Sequence, residues 1–440
     1  MDPHSKDAAA AARRDFRVLW AGQSLNLLGD HFMVLTLPLL AVTVIGASAS
    51  QAALLPFALF VPFLLFGLPA GAVVDRLPRR LTMIACDAVQ AVIFLTIAAL
   101  ALLGALSFPL LLLLVALAGA ATLFFQVAYT SYLPELFSDA RDLQRGNSRL
   151  FFSESMSRTL GPVLAGPVIA VMGPVIAVAA NAGSFVLSVL SVSAIRHREP
   201  ARPATIRKRG WMLHDIREGL HFVFGHRELE PVILCGAVYV LFLSMIEASL
   251  VLYCRDVLGL GAVGIGVVVG AAALGFPIGN LLSSRLVERF GIASTLVVSA
   301  SVSVAGIVLI PVAGSAGSAV ALVAASVLHG VGEGAFGPTS LTLRQIASPA
   351  HLLGRINSVQ RFLLWGTIPL GSLVAALTIK VIGLSGAVWI GGLGTCLCLP
   401  VLLRRGIRDD LLRRWTAARG RDREPCPSTP SVALSGQEEK

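Results

Sequence analysis

Long apolar segments separated by short polar connections make up most of the chain. A segment needs roughly 20 apolar residues to cross the hydrocarbon core of a bilayer as a helix. By that criterion the sequence predicts an all-α membrane protein with twelve transmembrane helices. The predicted spans are 17–45, 51–74, 81–104, 107–129, 150–172, 174–195, 231–254, 261–284, 292–313, 317–340, 360–382 and 385–403.

Composition agrees with this pattern, because 55% of the 440 residues are hydrophobic and only 14% are charged. A soluble domain is usually about 25% charged. The net charge of +10 does not indicate nucleic acid binding, because the basic residues are confined to one side of the predicted topology. With both termini cytoplasmic, only Arg255 and Lys380 fall on the outer side. This bias predicts a multi-pass protein of the cell membrane, with the lipid bilayer as its surroundings and both termini inside.

The sequence also repeats. The run Arg145-Gly-Asn-Ser recurs 210 residues later as Arg355-Ile-Asn-Ser. Similar segments in the same order predict two six-helix halves related by an axis along the membrane normal. The expected organisation is an N-terminal tail, a first bundle, a cytoplasmic linker, a second bundle and a disordered tail. Their predicted boundaries are 1–16, 17–195, 196–230, 231–403 and 404–440.

The linker has one further pattern. From Trp211 to Phe224 its apolar residues fall on one helical face, which predicts an amphipathic helix on the inner membrane surface. Such a helix could be an ordinary connection or a partner-binding site.

The loop between the second and third spans carries one aspartate and three arginines. Its glycine would let two helices pack closely, and its aspartate could accept hydrogen bonds from arginine or from a helix N-terminus. We expect a charged clasp at the cytoplasmic face, made in one conformation and broken in another. The alternative is a plain positive-inside signal. The clasp residues are Gly71, Asp75, Arg76, Arg79 and Arg80.

This Gly-x-x-x-Asp-Arg-x-x-Arg-Arg loop resembles the signature of the major facilitator superfamily. Leu27-Leu-Gly-Asp30 and Asp215-Ile-Arg-Glu-Gly-Leu220 are similar to segments of its proton-driven exporters, which include macrolide-efflux and enterobactin-exporter proteins. The fifth span contains a motif similar to the antiporter signature but shorter. The resemblance implies the major facilitator fold and export of a small molecule against inward proton flow. We call the antiporter-like motif of the fifth span the helix-bend motif. Its residues are Arg158, Gly161, Pro162 and Gly166.

Charged side chains inside the spans are candidates for the work of the protein, because a charge in hydrocarbon normally faces a cavity or a partner. Asp30 lies at mid-membrane depth, where it could bind a proton or hold a neighbouring helix in place. His329 and Glu333 share one helical face at i, i+4 and could pass a proton or join two helices. A second pair at this spacing, Glu154 and Arg158, is expected to form a structural salt bridge; alternatively, Arg158 could couple helix bending to the clasp.

Further polar side chains could contact cargo in a central cavity. Glu247 could bind a cationic substrate or a proton, or could reach the outer surface. With it, the cavity candidates are Asn26, Gln126, Tyr129, Asn181, Tyr239 and Gln360. Phenylalanine-rich spans favour a bulky amphipathic cargo, and the family resemblance implies a drug, an antibiotic or a siderophore-like metabolite.

Other energy sources and functions fit the pattern less well. No phosphate-binding Gly-x-x-x-x-Gly-Lys-Ser/Thr loop occurs, so ATP is not expected to drive the protein. No nucleophile–base or metal set occurs in the spans, so neither an enzyme nor a metal or cofactor is expected. The alternatives that remain open are an importer or uniporter of a small nutrient, and a non-transporting membrane scaffold or sensor. We expect the protein to act as a monomer.

Overall fold

The structure, a computed structural model, describes residues 3–74, 77–137, 140–196, 211–349 and 352–404. Within these ranges nine helices are long and apolar enough to cross a bilayer. Three of them contain a glycine with positive φ at which the chain reverses, namely Gly173, Gly291 and Gly383 at 79°, 84° and 80°. Glycine adopts this conformation without the penalty that a side chain would impose. Each of the three helices therefore comprises two spans, and the predicted twelve-span architecture is confirmed.

The spans are numbered in chain order. Spans 1 to 6 are Pro3–Thr43, Leu55–Val74, Arg79–Leu102, Phe108–Leu136, 140–172 and 174–193. A helix at Trp211–Gly225, the linker helix, lies between the halves. Spans 7 to 12 are Leu229–Leu252, 262–290, 292–315, Ala319–Ala347, 353–382 and 384–403, the last interrupted before Cys398–Leu403.

The second half repeats the first. Gly173 and Gly383, which separate spans 5 and 6 and spans 11 and 12, are 210 residues apart, as are the repeated sequence segments. Spans 4 and 10 each contain 29 residues and each begin after a serine, Ser107 or Ser318. Because the number of crossings is even, span 12 ends on the side where span 1 begins. We call this side the predicted cytoplasmic end and the opposite side the predicted outer end.

Several helices extend beyond the apolar segments that predict them. Span 1 begins at Pro3 and contains 41 residues, or about 60 Å of helix at 1.5 Å per residue, twice the thickness of the hydrocarbon core. The alanine run 8–12 continues the helix because alanine has the highest helix propensity. Spans 5 and 11 likewise begin earlier than predicted, at Ala140 and Leu353. These extensions project from the predicted cytoplasmic end.

The apolar packing differs between the two ends of the bundle. At the predicted cytoplasmic end each half has its own cluster, one around Phe16 and Tyr132 and the other around Val223 and Ile356. Toward the predicted outer end the clusters join the halves, for example where Leu35 of span 1 packs with residues of span 7. The halves are therefore held together from mid-membrane to the predicted outer end and have separate cores at the predicted cytoplasmic end.

Two helix pairs form this junction, which we call the outer seam. In spans 5 and 8 the backbones touch: a β-carbon at Gly266 would lie 2.3 Å from the carbonyl oxygen of Pro162. Small residues permit such contact between membrane helices. Just before span 2, in the short helix Ala49–Ala52, the Ser50 hydroxyl donates to the Ala376 carbonyl of span 11 at 2.7 Å.

The linker helix packs against the second half. Val223 is fully buried in the cluster that contains Ile356 of span 11, and Glu218 forms an ion pair with Arg355. The helix therefore lies on the predicted cytoplasmic end of the second bundle. Residues 197–210 of the predicted linker and residues 405–440 of the predicted tail lie outside the described residues.

Candidate functional site

A polar cluster lies inside the second half at mid-membrane depth. On span 10, His329 Nε2 lies 3.4 Å from a carboxylate oxygen of Glu333. His329 is buried, whereas the Glu333 side chain is 28% exposed. The two side chains predicted to share a helical face are therefore in contact, with the carboxylate on the accessible side.

Two hydroxyl groups complete this cluster on the other side of the imidazole ring. The Tyr239 hydroxyl on span 7 lies 2.8 Å from His329 Nδ1, and Ser303 Oγ on span 9 lies 3.0 Å from the same nitrogen. The two hydroxyl groups are 2.6 Å apart. A hydroxyl can donate to a neutral imidazole or accept from an imidazolium. The cluster therefore keeps its hydrogen bonds whether His329 carries one proton or two, as a proton-handling site requires.

One charged side chain of the first half faces this cluster. The Arg158 guanidinium on span 5 lies 4.8 Å from the centre of the Phe276 ring on span 8, close enough for a cation–π contact. It is also within electrostatic range of His329 and of Glu247 on span 7. The predicted Glu154–Arg158 salt bridge is wrong, because no ion pair joins these two described residues. Spacing of i, i+4 allows contact, but the Arg158 guanidinium instead contacts an aromatic ring of the opposite half.

The position of Glu247 is also informative. Its side chain is exposed although Leu243 and Ile246 on the same span are buried. It lies within electrostatic range of both Arg158 and Glu333, which belong to different halves. Glu247 therefore faces the boundary between the halves, which disfavours the alternative that it reaches the outer surface.

The glycines of the helix-bend motif have separate contacts. A β-carbon at Gly161 would lie 2.6 Å from the β-carbon of His31 on span 1, and one at Gly166 would lie 2.7 Å from the Ala262 carbonyl oxygen on span 8. The motif thus packs against its own half through Gly161 and against the opposite half through Gly166. Span 8 contributes a Gly-x-x-x-Gly pair, Gly266 and Gly270, to this contact between the halves. This pair was not among the sequence-based expectations, although its spacing was the available signal.

A second acidic cluster lies inside the first half. Asp87 of span 3, also absent from those expectations, is fully buried and accepts a hydrogen bond from Ser188 Oγ of span 6 at 2.6 Å. Its other carboxylate oxygen has no hydrogen-bond partner among the described residues. Asp30 of span 1 is partly exposed and lies within electrostatic range of Asp87. Because the two carboxyl groups interact electrostatically, proton binding at one depends on the charge of the other. Asp87 could have been identified from the sequence, because it is an isolated aspartate in an apolar span.

The remaining cavity candidates separate into two groups. Asn26 and Asn181 are each 2% exposed, and Asn181 accepts a hydrogen bond from Ser184 Oγ of its own helix. They are packed within the first bundle and not on an open wall. The partly exposed candidates are Gln126, Tyr129 and Gln360.

The loop expected to form the clasp is described only in part. Asp75 and Arg76 lie outside the described residues. Arg79 donates to the Ser131 carbonyl of span 4, and Arg80 donates to the Val192 carbonyl of span 6 at 3.1 Å. Both bonds stay within the first half.

The expected reason for the loop glycine is not supported. A β-carbon at Gly71 would meet no described atom within 4 Å. In this conformation Gly71 is therefore not at a close helix contact.

Two repeated six-helix bundles with charged side chains at their boundary are the architecture of a two-halved membrane transporter. The chain belongs to the Major Facilitator Superfamily, whose family model matches residues 19–368. The superfamily predicted from the loop signature is confirmed, and the protein is a multi-pass membrane transporter of small molecules.

Its relatives include efflux pumps. The chain is 27% identical over 387 residues to the multidrug efflux pump Tap of Mycolicibacterium fortuitum, covering 85% of this chain and 90% of that protein. It is 29% identical over 359 residues to the multidrug efflux pump Tap of Mycobacterium tuberculosis, covering 79% and 83%. These relatives agree with the predicted resemblance to drug exporters.

Solved structures show the same fold at low identity. A bacterial homologue of the iron transporter ferroportin in its inward-facing state matches with a TM-score of 0.74 at 18% identity, over 90% of this chain and 99% of that one. The nucleoside transporter NupG matches with a TM-score of 0.71 at 12% identity, over 89% and 98%.

Proposed function

We propose that the protein is a secondary active exporter that moves small amphipathic molecules out of the cell in exchange for protons. The naming of its relatives as multidrug efflux pumps supports this proposal. The excess of arginine and lysine at one end of the bundle supports cytoplasmic termini.

The observation that carries the proposal is the opposition of charge across the boundary of the halves. Arg158 of the first half lies within electrostatic range of Glu247 and His329 of the second. Glu333 contacts His329 and lies within electrostatic range of Glu247. A proton on Glu333 therefore changes the net charge that faces Arg158, and with it the attraction that holds the two halves together. A cationic or polar group of the cargo competes with Arg158 for the same carboxylates.

The Asp30–Asp87 pair provides a second proton-binding position inside the first half. Ser188 holds one oxygen of Asp87, which leaves the partly exposed Asp30 as the group that exchanges protons. Proton binding there alters the packing of span 1 against spans 3 and 6. Because Gly161 packs on span 1 at His31, that change reaches the helix that forms the outer seam.

Alternating access then requires two junctions that are never open together. In the conformation described, the outer seam is closed and each cytoplasmic end has its own core. Cargo enters between these ends. After the change of state, the clasp of the second loop closes the cytoplasmic side while spans 5 and 8 separate.

Aromatic side chains suit an apolar cargo. Phe63 of span 2 and Trp365 of span 11 meet edge to face, with ring centres 5.3 Å apart, at the boundary of the halves. Arg361 lies 5.0 Å from the centre of the Trp365 ring. Aromatic and apolar walls with few polar groups favour amphipathic compounds.

The test is dye and antibiotic efflux from cells that express the protein, with and without a proton uncoupler. We expect depletion that the uncoupler abolishes, and at least a tenfold loss of rate in Glu333→Gln. The matched control is Glu288→Gln, which neutralises a carboxylate at the end of span 8, away from the polar cluster, and should retain the native rate. Uptake instead of depletion, or uncoupler-insensitive efflux, would refute proton-driven export.

A further inference from the structure

The described part of the chain contains a basic cavity that the transport proposal does not use. It lies at the predicted cytoplasmic ends of spans 1 and 5 and has a volume of about 290 Å³. The charged residues that line it are Arg13, Arg17, Asp142, Arg145 and Arg149, and its other walls are Phe16, Phe137 and Gly146.

The arginines form two pairs that face each other. Arg13 and Arg17 are four residues apart on span 1, and Arg145 and Arg149 have the same spacing on span 5. Like charges at i, i+4 destabilise a helix. Four arginines therefore converge at a site where local helix stability disfavours them, as expected if an anion is bound there.

The aspartate in the cavity accounts for only part of this charge. Asp142 lies 3.1 Å from Arg13 and 3.5 Å from Arg145. Arg17 and Arg149 have no acidic partner within ion-pair distance among the described residues. Arg149 lies 5.8 Å from the centre of the Trp20 ring, which orients it without neutralising it.

The floor of the cavity is apolar. The Phe16 and Phe137 rings pack 5.2 Å apart between centres. A β-carbon at Gly146 would lie 2.9 Å from the Phe137 ring, so the glycine lets the aromatic floor approach span 5. A basic rim above an aromatic floor matches a ligand with an anionic group beside an apolar one.

We propose that this cavity binds a phosphate group through Arg17 and Arg149. Arginine matches phosphate because its planar fork donates two parallel hydrogen bonds. The position at the cytoplasmic leaflet and the apolar floor favour the headgroup of an anionic phospholipid, although soluble phosphate has the same chemistry. The bound group joins Arg17 of span 1 to Arg149 of span 5, two like charges that otherwise repel each other.

The experiment is thermal unfolding of the purified full-length protein in neutral detergent, with three probes titrated separately. These are phosphatidylglycerol, phosphatidylcholine and inorganic phosphate. The test variant is the double substitution Arg17→Gln/Arg149→Gln. The matched control is Arg285→Gln/Arg289→Gln, which removes two exposed arginines four residues apart at the predicted cytoplasmic end of span 8.

We expect phosphatidylglycerol to raise the unfolding temperature of the native protein and of the control, with phosphatidylcholine inactive. The test variant should bind about tenfold more weakly for each arginine removed. An equal effect of inorganic phosphate would assign the site to soluble phosphate. The proposal would be overturned if neither phosphatidylglycerol nor inorganic phosphate changed the unfolding temperature. It would also be overturned if binding weakened equally in the two double variants. If the test variant does not fold, Arg17→Lys/Arg149→Lys and lipid counting by native mass spectrometry provide the same comparison.

Discussion

The contact of spans 5 and 8 leads to a quantitative prediction about the outer seam. In Gly266→Ala the new β-carbon would lie 2.3 Å from the Pro162 carbonyl oxygen, about 1 Å closer than an ordinary contact. Because that oxygen belongs to the backbone, the two helices must separate. Overpacking of this kind costs typically about 1–3 kcal/mol, and only the seam-closed state bears it. The population ratio of open to closed seam should therefore rise roughly 5- to 150-fold.

The assay is a distance measurement between spin labels at the outer ends of the two halves, in a cysteine-free background. Leu103 and Val320 are suitable sites because they are 78% and 81% exposed. We expect Gly266→Ala to increase the fraction of long distances. The control is Gly264→Ala on the same helix, where a β-carbon would meet only the Leu260 side chain, at 3.5 Å; it should match the native distribution.

Two results would refute this reasoning. An unchanged distribution in Gly266→Ala would mean that the seam accommodates a methyl group without opening. An equal change in both variants would mean that helix propensity, and not the contact with Pro162, controls the equilibrium. Detergent extraction and size-exclusion profiles of the three proteins establish that each one is folded.

Three further predictions concern the polar clusters and the loop. Tyr239→Phe removes the hydroxyl that contacts His329 Nδ1 and should lower the efflux rate about fivefold, since a hydrogen bond contributes about 1 kcal/mol. Ser188→Ala leaves the Asp87 carboxylate without its 2.6 Å hydrogen bond and should destabilise the protein by about 1–3 kcal/mol in thermal unfolding. Asp75→Asn should impair transport with membrane insertion intact, as measured by efflux and membrane-fraction yield.

Each of these predictions has a result that contradicts it. Native efflux in the tyrosine variant would exclude the hydroxyl from the transport cycle. For the serine variant the comparison is Thr96→Ala, because the Thr96 hydroxyl is exposed and bonds only to the Val92 carbonyl of its own helix. An equal loss of stability in both would remove any special role for the buried pair. Native transport in the Asp75 variant would exclude the clasp.

The sequence alone determined the architecture. The sequence contains twelve apolar segments, a one-sided distribution of arginine and lysine, and a repeat at 210 residues. These are local or periodic properties, and the first two determine directly how the chain crosses a bilayer. The contact between His329 and Glu333 was also predictable, because i, i+4 neighbours on a helix meet whatever surrounds them. Helix ends were less predictable. Span 1 begins at Pro3 because the helix propensity of alanine extends it, and a count of apolar residues does not include this propensity.

The tertiary structure decided which side chains from different spans meet. Arg158 leaves its sequence neighbour Glu154 for Phe276 of the other half, because an aromatic face in the membrane interior competes with a local ion pair. Asp87 accepts a hydrogen bond from Ser188, which is 101 residues away in the sequence. The basic cavity combines arginines 128 to 136 residues apart, which no local pattern relates. Contacts of this kind depend on how helices pack and rotate against each other, and packing depends on shape complementarity summed over the whole bundle.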